Sequence, residues 1–297
     1  MKTKNRVFYY DAIKVLAIFL VCIYHYNNLN FNILDHPNFG VYLNYYVRGI
    51  SSMAVPLFFM VNGALLLNKP YKLRSHLEKV FYLYILFFVW SFISLIIFIP
   101  IEGASYSLKE FLKAWFFLKL GTSNHLWFLQ ALISVYLLFP FIKLIYDLPD
   151  RILLKLFCLI IFIFSFGNLF LSSLLNSVEF MFGLNYFKRD SFSFFPVVFN
   201  PFGNYYYAIF YFVAGGVMAE RIKDHKINVS IRALLASFLI ALFLLFLYGI
   251  LMSVSNKVLF DTVWGGNYSI MTLIMASSTF LFFSKLTYEK EKINYEQ

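Results

Sequence analysis

Apolar residues fall into eight long stretches that divide the 297-residue chain. A helix of about 20 apolar residues crosses the ~30 Å hydrocarbon core of a bilayer and satisfies its own backbone groups there. The pattern therefore predicts an all-α, polytopic transmembrane helical bundle with about eight spans. We place these spans at residues 9–28, 47–67, 80–100, 125–146, 153–175, 202–219, 233–252 and 267–284.

Segment 107–120 is a further apolar stretch, but unlike the eight predicted spans it carries several charged residues: Lys109, Glu110, Lys113 and Lys119. Because an amphipathic helix with basic residues favours the membrane surface, we expect this segment to lie in the interface.

No fixed-period repeat or long linker divides the sequence, so residues 1–297 are predicted to form a single integral-membrane domain.

The composition agrees with a membrane protein. Hydrophobic residues make up 61% of the chain and charged residues 13%, against about 45–50% and about 25% in soluble domains. These proportions exclude a disordered chain, a coiled coil and an ordinary soluble enzyme. Cys22 and Cys158 lie in apolar runs, so we interpret them as small embedded side chains. Three histidines outside the predicted spans have no ligand spacing and are expected on the solvated surface: His36, His76 and His225.

The distribution of Lys and Arg predicts the orientation. The chain has 25 Lys and Arg against 15 Asp and Glu, a net charge of +10. Of these cations, 17 fall in one set of connections and in the two terminal segments, and 7 fall in the opposite connections. Since cytoplasmic connections carry the excess of Lys and Arg, both termini are predicted to be cytoplasmic. The positive charge then marks topology, and we expect no nucleic-acid partner.

The first predicted span contains three ionisable residues: Asp11, Lys14 and His25. Such residues are costly in lipid and by default indicate a functional site. Lys14 and His25 are eleven residues apart, which places them within about 20° of one helix face and about 16 Å apart along the axis. A cation near the cytoplasmic end and an imidazole near the outer end would then face one groove. Alternatively, Lys14 extends to the interface beside Asp11, and His25 is an interfacial histidine.

Four short patterns stand out along the chain: Asp11-x-x-Lys14-x10-His25, residues 55–63 (VPLFFMVNG), residues 125–129 (HLWFL) with Tyr136 and Pro140, and residues 212–216 (FVAGG). They resemble motifs of the membrane acyltransferase 3 family, whose first-helix motif is usually written Arg-x10-His. The patterns come in the family's order and cover about residues 7–220. Their order and the predicted topology together carry the resemblance.

The resemblance implies a surface-polysaccharide O-acetyltransferase of the bacterial inner membrane, with no metal. Such an enzyme moves an acyl group, usually acetyl, from cytoplasmic acyl-CoA to a hydroxyl of a cell-surface or lipid-linked glycan. By position, His25 corresponds to the family's catalytic histidine, and Lys14 stands where the family has an arginine that faces the CoA side. With Lys14, we expect Asp11 and Asn62, from the first two motifs, to contribute to the acetyl-CoA site.

The sequence also departs from the family pattern. Lys14 is a point charge in place of a planar guanidinium, which keeps the attraction to phosphate but loses bidentate binding. Asn62 replaces a serine. Arginine is often found four residues before the proline, but here that residue is Ser52, and Arg48 lies one turn earlier. The family commonly has two further spans, which implies a short variant or a missing C-terminal end.

O-acylation from a thioester needs a base for the acceptor hydroxyl and a site for an anionic donor. His25 suits the base because a free imidazole, with a pKa of about 6.5, is mostly neutral at neutral pH. At the outer start of the fourth span, Trp127 either stacks on a sugar ring or is an interfacial anchor. His125 and Arg48 are candidates for binding an acceptor hydroxyl or phosphate. The chain has no P-loop, dinucleotide-binding or zinc-protease motif.

Two other functional classes would use a similar polar groove. A glycan transporter or flippase would have inverted repeats and broken helices in both halves, but Pro56 has no counterpart in the second half. A glycan polymerase would carry a long outer loop with several basic residues, whereas the loop 176–201 has only Lys188 and Arg189. The sequence therefore favours acyl transfer over these two alternatives.

Overall fold

The computed structural model describes residues 7–26, 30–101, 103, 105–116, 126–183 and 206–296. Every regular element in these ranges is a helix, so the predicted all-α fold is confirmed. The elements are α1 (Phe8–His25), α2 (Phe39–Ile50), a 3-10 turn (Ser51–Met53), α3 (Ala54–Leu67), α4 (Leu73–Ile101), α5 (Leu108–Phe116), α6 (Trp127–Asp147), α7 (Ile152–Phe162), a π-helical turn (Ile163–Gly167), α8 (Asn168–Phe182), α9 (Tyr207–Lys223), α10 (Ile231–Asn256) and α11 (Ile270–Glu296).

Several of these helices have the length and hydropathy of membrane spans. Two predicted spans differ from this pattern: 153–175 lies on α7 and α8 with the π-helical turn between them, and 202–219 overlaps the 17-residue α9. The count of eight spans and the cytoplasmic termini stay predictions. Within the described ranges, the six helical stretches long and apolar enough to cross a membrane are Phe8–His25, Phe39–Leu67, Leu73–Ile101, Trp127–Asp147, Ile231–Asn256 and Ile270–Thr287.

Helix α5 lies within the segment predicted to occupy the membrane interface. It starts with a capping box: Ser107 donates to the Glu110 carboxylate from its backbone nitrogen (2.9 Å) and its hydroxyl (2.7 Å), and Glu110 N donates back to Ser107 Oγ (3.3 Å). The hydrogen bonds from Ser107 hold the pKa of the exposed Glu110 carboxyl below its usual value. Trp115 packs against α4, where its indole nitrogen donates to the Phe88 carbonyl at 3.1 Å. The predicted short helix is present, and its position in the interface stays a prediction.

The chain divides into two compact units, which we describe separately. One comprises Met1–Asn68 and Ile152–Gln297, and the other comprises Lys69–Arg151. The first unit therefore contains α1 to α3 and α7 to α11, and the second contains α4 to α6. The prediction of a single membrane domain stays a prediction.

The first unit is built around a contact between the backbones of α3 and α9. A Cβ atom at Gly63 would lie 1.7 Å from the Phe212 carbonyl oxygen, and a Cβ at Gly215 would lie 2.0 Å from the Met60 carbonyl oxygen. Only glycine permits such an approach, because a backbone carbonyl of each helix occupies the space that a Cβ atom would take on the other helix. Small residues give membrane helices the close packing that holds them together where the hydrophobic effect cannot. Helices α1 and α11 also pack on α3.

We predict that Gly215→Ala destabilises the protein by about 3 kcal/mol or more, at the upper end of overpacking effects, since a backbone carbonyl cannot move aside. Gly40→Ala is the matched control, because a Cβ there comes no closer than 3.4 Å to Asn38 Oδ1. Thermal unfolding in detergent micelles measures both variants. Equal midpoints for the two variants would contradict the assigned contact.

In the second unit, His76 joins α4 to α6. The sequence interpretation of His76 as a solvated surface residue was wrong, because its side chain is buried and its Nε2 lies 2.7 Å from the Tyr136 carbonyl oxygen. Tyr136 lies four residues before Pro140, which has no N–H to donate to that carbonyl. A carbonyl only accepts, so Nε2 carries the proton, and His76 donates the hydrogen bond that the proline removes.

We predict that His76→Phe costs about 1–3 kcal/mol, the usual penalty for leaving a buried polar group unpaired. The cost should be clearly smaller in a Pro140→Ala background, because an alanine at that position would supply a backbone N–H to the Tyr136 carbonyl. A double-mutant cycle of unfolding free energies in mixed micelles measures the coupling. Additive costs would mean that His76 and Pro140 act independently.

Candidate active site

Helix α1 carries the two residues on which the predicted site depends. Its buried side chains form a stripe of Tyr9, Ile13, Ala17 and Leu20. Lys14 follows Ile13 by one residue, and His25 lies eleven residues further along the same unbroken helix. At ~100° per residue, both therefore lie on one flank of the stripe. Lys14 is half-buried and His25 is exposed.

Lys14 forms an ion pair near the start of α1. Its Nζ lies 3.8 Å from Asp11 Oδ1, with the two side chains 38% and 30% exposed. This contact agrees with the alternative interpretation in which Lys14 simply pairs with Asp11. An ammonium group has three N–H donors, however, so one distant carboxylate leaves capacity for a second anion. The geometry is compatible with both interpretations.

At the other end of α1, Arg48 connects three parts of the chain. Its Nη2 lies 3.4 Å from Asp261 Oδ2, and its Nη1 donates to the Tyr24 carbonyl oxygen at 3.4 Å. The guanidinium carbon also lies 4.3 Å from the centre of the Tyr24 ring and 3.7 Å from that of Phe31. The Arg48 side chain is only 14% exposed. Stacking between rings and a carboxylate partner are the conditions under which a largely buried guanidinium is stable.

Asp261 is the residue of this cluster that the sequence interpretation missed. It lies in the connection between α10 and α11, and it accepts hydrogen bonds with both carboxylate oxygens. Oδ1 accepts from the backbone nitrogens of Val263 (2.8 Å) and Trp264 (3.2 Å), and Oδ2 accepts from the Tyr24 hydroxyl (3.0 Å). Asp261 and Tyr24 are 237 residues apart, so no local pattern could indicate that they meet.

The same connection, residues 257–269, packs against the 3-10 turn between α2 and α3. Asn267 donates from its side-chain amide to the Ser52 carbonyl at 3.0 Å, and the Ser52 and Thr272 hydroxyls share a hydrogen bond of 2.9 Å. Tyr211 of α9 donates to the Asn267 carbonyl at 3.0 Å. Non-helical backbone at membrane depth is tolerated where protein groups satisfy it. We call the buried polar residues at this contact the polar seam: Ser51, Ser52, Thr262, Asn267, Ser269 and Thr272.

Comparison with known protein families adds the decisive observation. A profile of the acyltransferase 3 family, described as an acyltransferase domain, matches residues 7–293. The chain belongs to the acyltransferase 3 family. The protein is therefore a membrane acyltransferase. Searches of curated proteins and of solved structures found no match.

The polar seam explains one departure of this acyltransferase from the family pattern. Ser52 stands where the family often has arginine, and its side chain is fully buried beside Thr272 and Asn267. An arginine side chain would not fit between these contacts. Arg48, one turn earlier on α2, brings a guanidinium to the C-terminal end of α1 instead.

The remaining predicted site residues of the acyltransferase lie in different environments. Asn62 is half-buried on α3, and its amide donates to the Phe58 carbonyl at 2.8 Å. Trp127 begins α6, in the other unit, and the residue is only 8% exposed. An arrangement with so little exposed ring gives a sugar little surface for stacking. His125 lies outside the described residues.

Three buried polar atoms near the C-terminal end of α1 have no hydrogen-bond partner in the described part of the chain: Arg48 Nε, Ser51 Oγ and Thr262 Oγ1. Arg48 and Ser51 are one turn apart, and Thr262 follows Asp261. All three groups can donate a hydrogen bond. Unpaired buried donors of this kind are rare in proteins and often hold water or a ligand. Among the described residues, no three His, Cys, Asp or Glu side chains group as metal ligands.

Proposed function

We propose that this acyltransferase transfers an acetyl group from cytoplasmic acetyl-CoA to a hydroxyl of a cell-surface or lipid-linked glycan, in the plasma membrane of a bacterium. The observation that carries the proposal is the unbroken helix α1, with Lys14 near its start and His25 as its last residue. The family supplies acyl transfer as the reaction class. The acetyl group, the glycan acceptor and the residue roles are our assignments.

In the proposed reaction, His25 is the general base. Its imidazole takes the proton of the acceptor hydroxyl as the oxygen attacks the thioester carbonyl carbon. The tetrahedral intermediate then collapses, the carbon–sulfur bond breaks, and the proton passes to the leaving CoA thiolate. An exposed histidine at the end of a membrane helix can meet an acceptor that never enters the bilayer.

The donor is proposed to enter from the Lys14 end of α1. Lys14 attracts the phosphates of CoA, and the pantetheine arm extends along α1 towards His25, about 16 Å away. Because a carboxylate repels phosphate, Asp11 is better suited to hold the Lys14 ammonium than to contact CoA. Asn62 stays a candidate for binding the arm, since its half-buried side chain lies on α3, which packs against α1.

Acceptor binding is proposed to involve Arg48. A role for His125 stays a prediction, whereas Trp127, with little exposed surface, is better suited to be an interfacial anchor. The two terminal nitrogens of Arg48 are engaged within the protein, so the unpartnered Nε–H is the group that an acceptor oxygen would use. The interruption at Ser51–Met53 also resembles the broken helices of transporters. Ser51 and Ser52 of this turn belong to the polar seam, however, and Asn267 binds the Ser52 carbonyl, so no transport pathway is needed to explain the turn. The family assignment makes transport or polymerisation the weaker alternative.

We predict that His25→Ala reduces acetyl transfer by at least about 100-fold, the lower end of what a general base contributes. The measurement is NMR of purified surface glycan from cells that produce each variant, with membrane insertion checked by immunoblotting. His225→Ala is the matched control, because His225 lies in the exposed connection after α9. Unchanged acetylation in a correctly inserted His25→Ala protein would exclude His25 as the base.

We predict that Lys14→Arg keeps or improves activity, whereas Lys14→Gln raises the KM for acetyl-CoA several-fold. Acetyl-pantetheine, which lacks the nucleotide phosphates, should show no such increase if Lys14 binds those phosphates. Release of free thiol from protein in proteoliposomes measures both donors. Lys226→Gln is the control, since Lys226 also pairs with an aspartate, Asp224, at 2.8 Å. A severe loss in Lys14→Arg would indicate a role that only lysine fulfils.

A further inference from the structure

We propose that Asp261 is a positioning residue for acyl transfer, which holds the outer end of α1, and with it the imidazole of His25, through Tyr24 and Arg48. This inference rests on the proposed role of His25 as the base. The sequence patterns do not include Asp261, and its contacts with α1 and α2 single it out.

The Asp261 carboxylate is itself firmly held. Oδ1 closes the turn of Val263 and Trp264, so the side chain is fixed to its own backbone. That backbone is anchored one residue earlier: the Phe260 carbonyl accepts from the buried Tyr45 hydroxyl at 2.7 Å, and Phe260 N donates to Ser253 Oγ at 2.9 Å. The carboxylate is therefore a rigid reference point, anchored to α2 and α10.

From this reference point, the contacts converge on the residue before the base. Asp261 accepts from the Tyr24 hydroxyl, and Arg48, paired with Asp261, donates to the Tyr24 carbonyl and stacks on the Tyr24 ring. The carbonyls in the last turn of a helix have no partner within the helix, so an arginine donor there stabilises that turn. Tyr24 is thus held at its backbone, its ring face and its hydroxyl.

The Tyr24 ring passes this restraint on to His25. The two ring centres lie 5.0 Å apart, with the planes at 82°, so the Tyr24 ring limits how the imidazole can turn. Burial does not fix the imidazole, because His25 is exposed. A base must be held within a fraction of an ångström of its working position. Asp261 contributes to this order from outside the helix.

The position of the Arg48 side chain depends on the same carboxylate. The guanidinium is largely buried, and Asp261 is its ion-pair partner among the described residues. Without the carboxylate, Arg48 would be a buried cation with no counterion, and it would turn towards water. Its contacts with Tyr24 would then be lost together with those of Asp261. We therefore expect the effect of removing Asp261 to exceed that of removing the Tyr24 hydroxyl alone.

The kinetic test compares Asp261→Asn, Asp261→Glu and Tyr24→Phe with the wild type, with acetyl-CoA as donor in proteoliposomes. For Asp261→Asn we expect kcat to fall by about 10- to 100-fold, the scale of a misplaced catalytic group, with an unchanged KM for acetyl-CoA. Glutamate should restore part of kcat, and Asp261→Asn with Tyr24→Phe should be no slower than Asp261→Asn alone. A wild-type kcat in Asp261→Asn, or a loss that only follows the amount of folded protein, would overturn the proposal.

Asp224→Asn is the matched control, because Asp224 is also paired with a cation but lies in the connection after α9. We expect it to keep the wild-type kcat and KM. A purely structural role of Asp261 would lower the unfolding midpoint of Asp261→Asn and leave kcat per folded molecule unchanged, which would also overturn the proposal.

A second measurement does not depend on activity. Diethyl pyrocarbonate modifies exposed imidazoles, and mass spectrometry reads the modification of His25 and His225 in the same sample. We expect Asp261→Asn to raise the rate at His25 several-fold relative to the rate at His225. An unchanged ratio would show that Asp261 does not restrain His25. If wild-type protein transfers no acetyl group but the ratio rises, the proposed function fails and the positioning contact stands.

Discussion

The backbone contact between α3 and α9 is the constraint on which the first unit depends. At Gly63 and Gly215 each helix places a carbonyl where the other has no Cβ atom, so neither helix can rotate or slide without a collision. Such a contact fixes the axial register of two helices, which the interchangeable apolar side chains of a lipid-facing surface cannot do. Because α1 and α11 pack on α3, the positions of Lys14 and His25 follow from this register.

Helix α3 is preceded directly by the 3-10 turn, whose residues Ser51 and Ser52 belong to the polar seam. Breaking a helix inside a membrane exposes backbone groups that lipid cannot satisfy. Here Asn267 donates to the Ser52 carbonyl, and Ser52 pairs with Thr272, so the connection 257–269 is drawn into the bundle. The same connection carries Asp261, which meets the end of α1 through the Tyr24 hydroxyl. The 3-10 turn and the ion pair beside the candidate base therefore contact one connection of the chain.

How far the sequence predicted this structure depends on the range of each interaction. Apolar stretches of bilayer length placed the helices, and the eleven-residue spacing placed Lys14 and His25 on one helix flank, because both patterns are local. Asp261 was missed because its partners lie 213 and 237 residues away. His76 was misinterpreted for a related reason, since its partner is a carbonyl freed by a proline on another helix. The sequence also did not predict the π-helical turn within the span 153–175, where the Ser165 hydroxyl donates to the Ile161 carbonyl.

The length of α1 places the proposed chemistry at one boundary of the membrane. Its 18 residues span about 27 Å, close to the ~30 Å hydrocarbon core. Lys14 stands about 9 Å from the start and His25 at the end, so the ~16 Å that separates them is about half of the hydrocarbon core. In the proposed orientation, a polar glycan at the outer face would reach His25 without desolvation, whereas the donor would extend across that distance. An ion pair between Arg48 and Asp261 is suited to such a boundary, because it orders the end of the helix while adding no net charge beside the base.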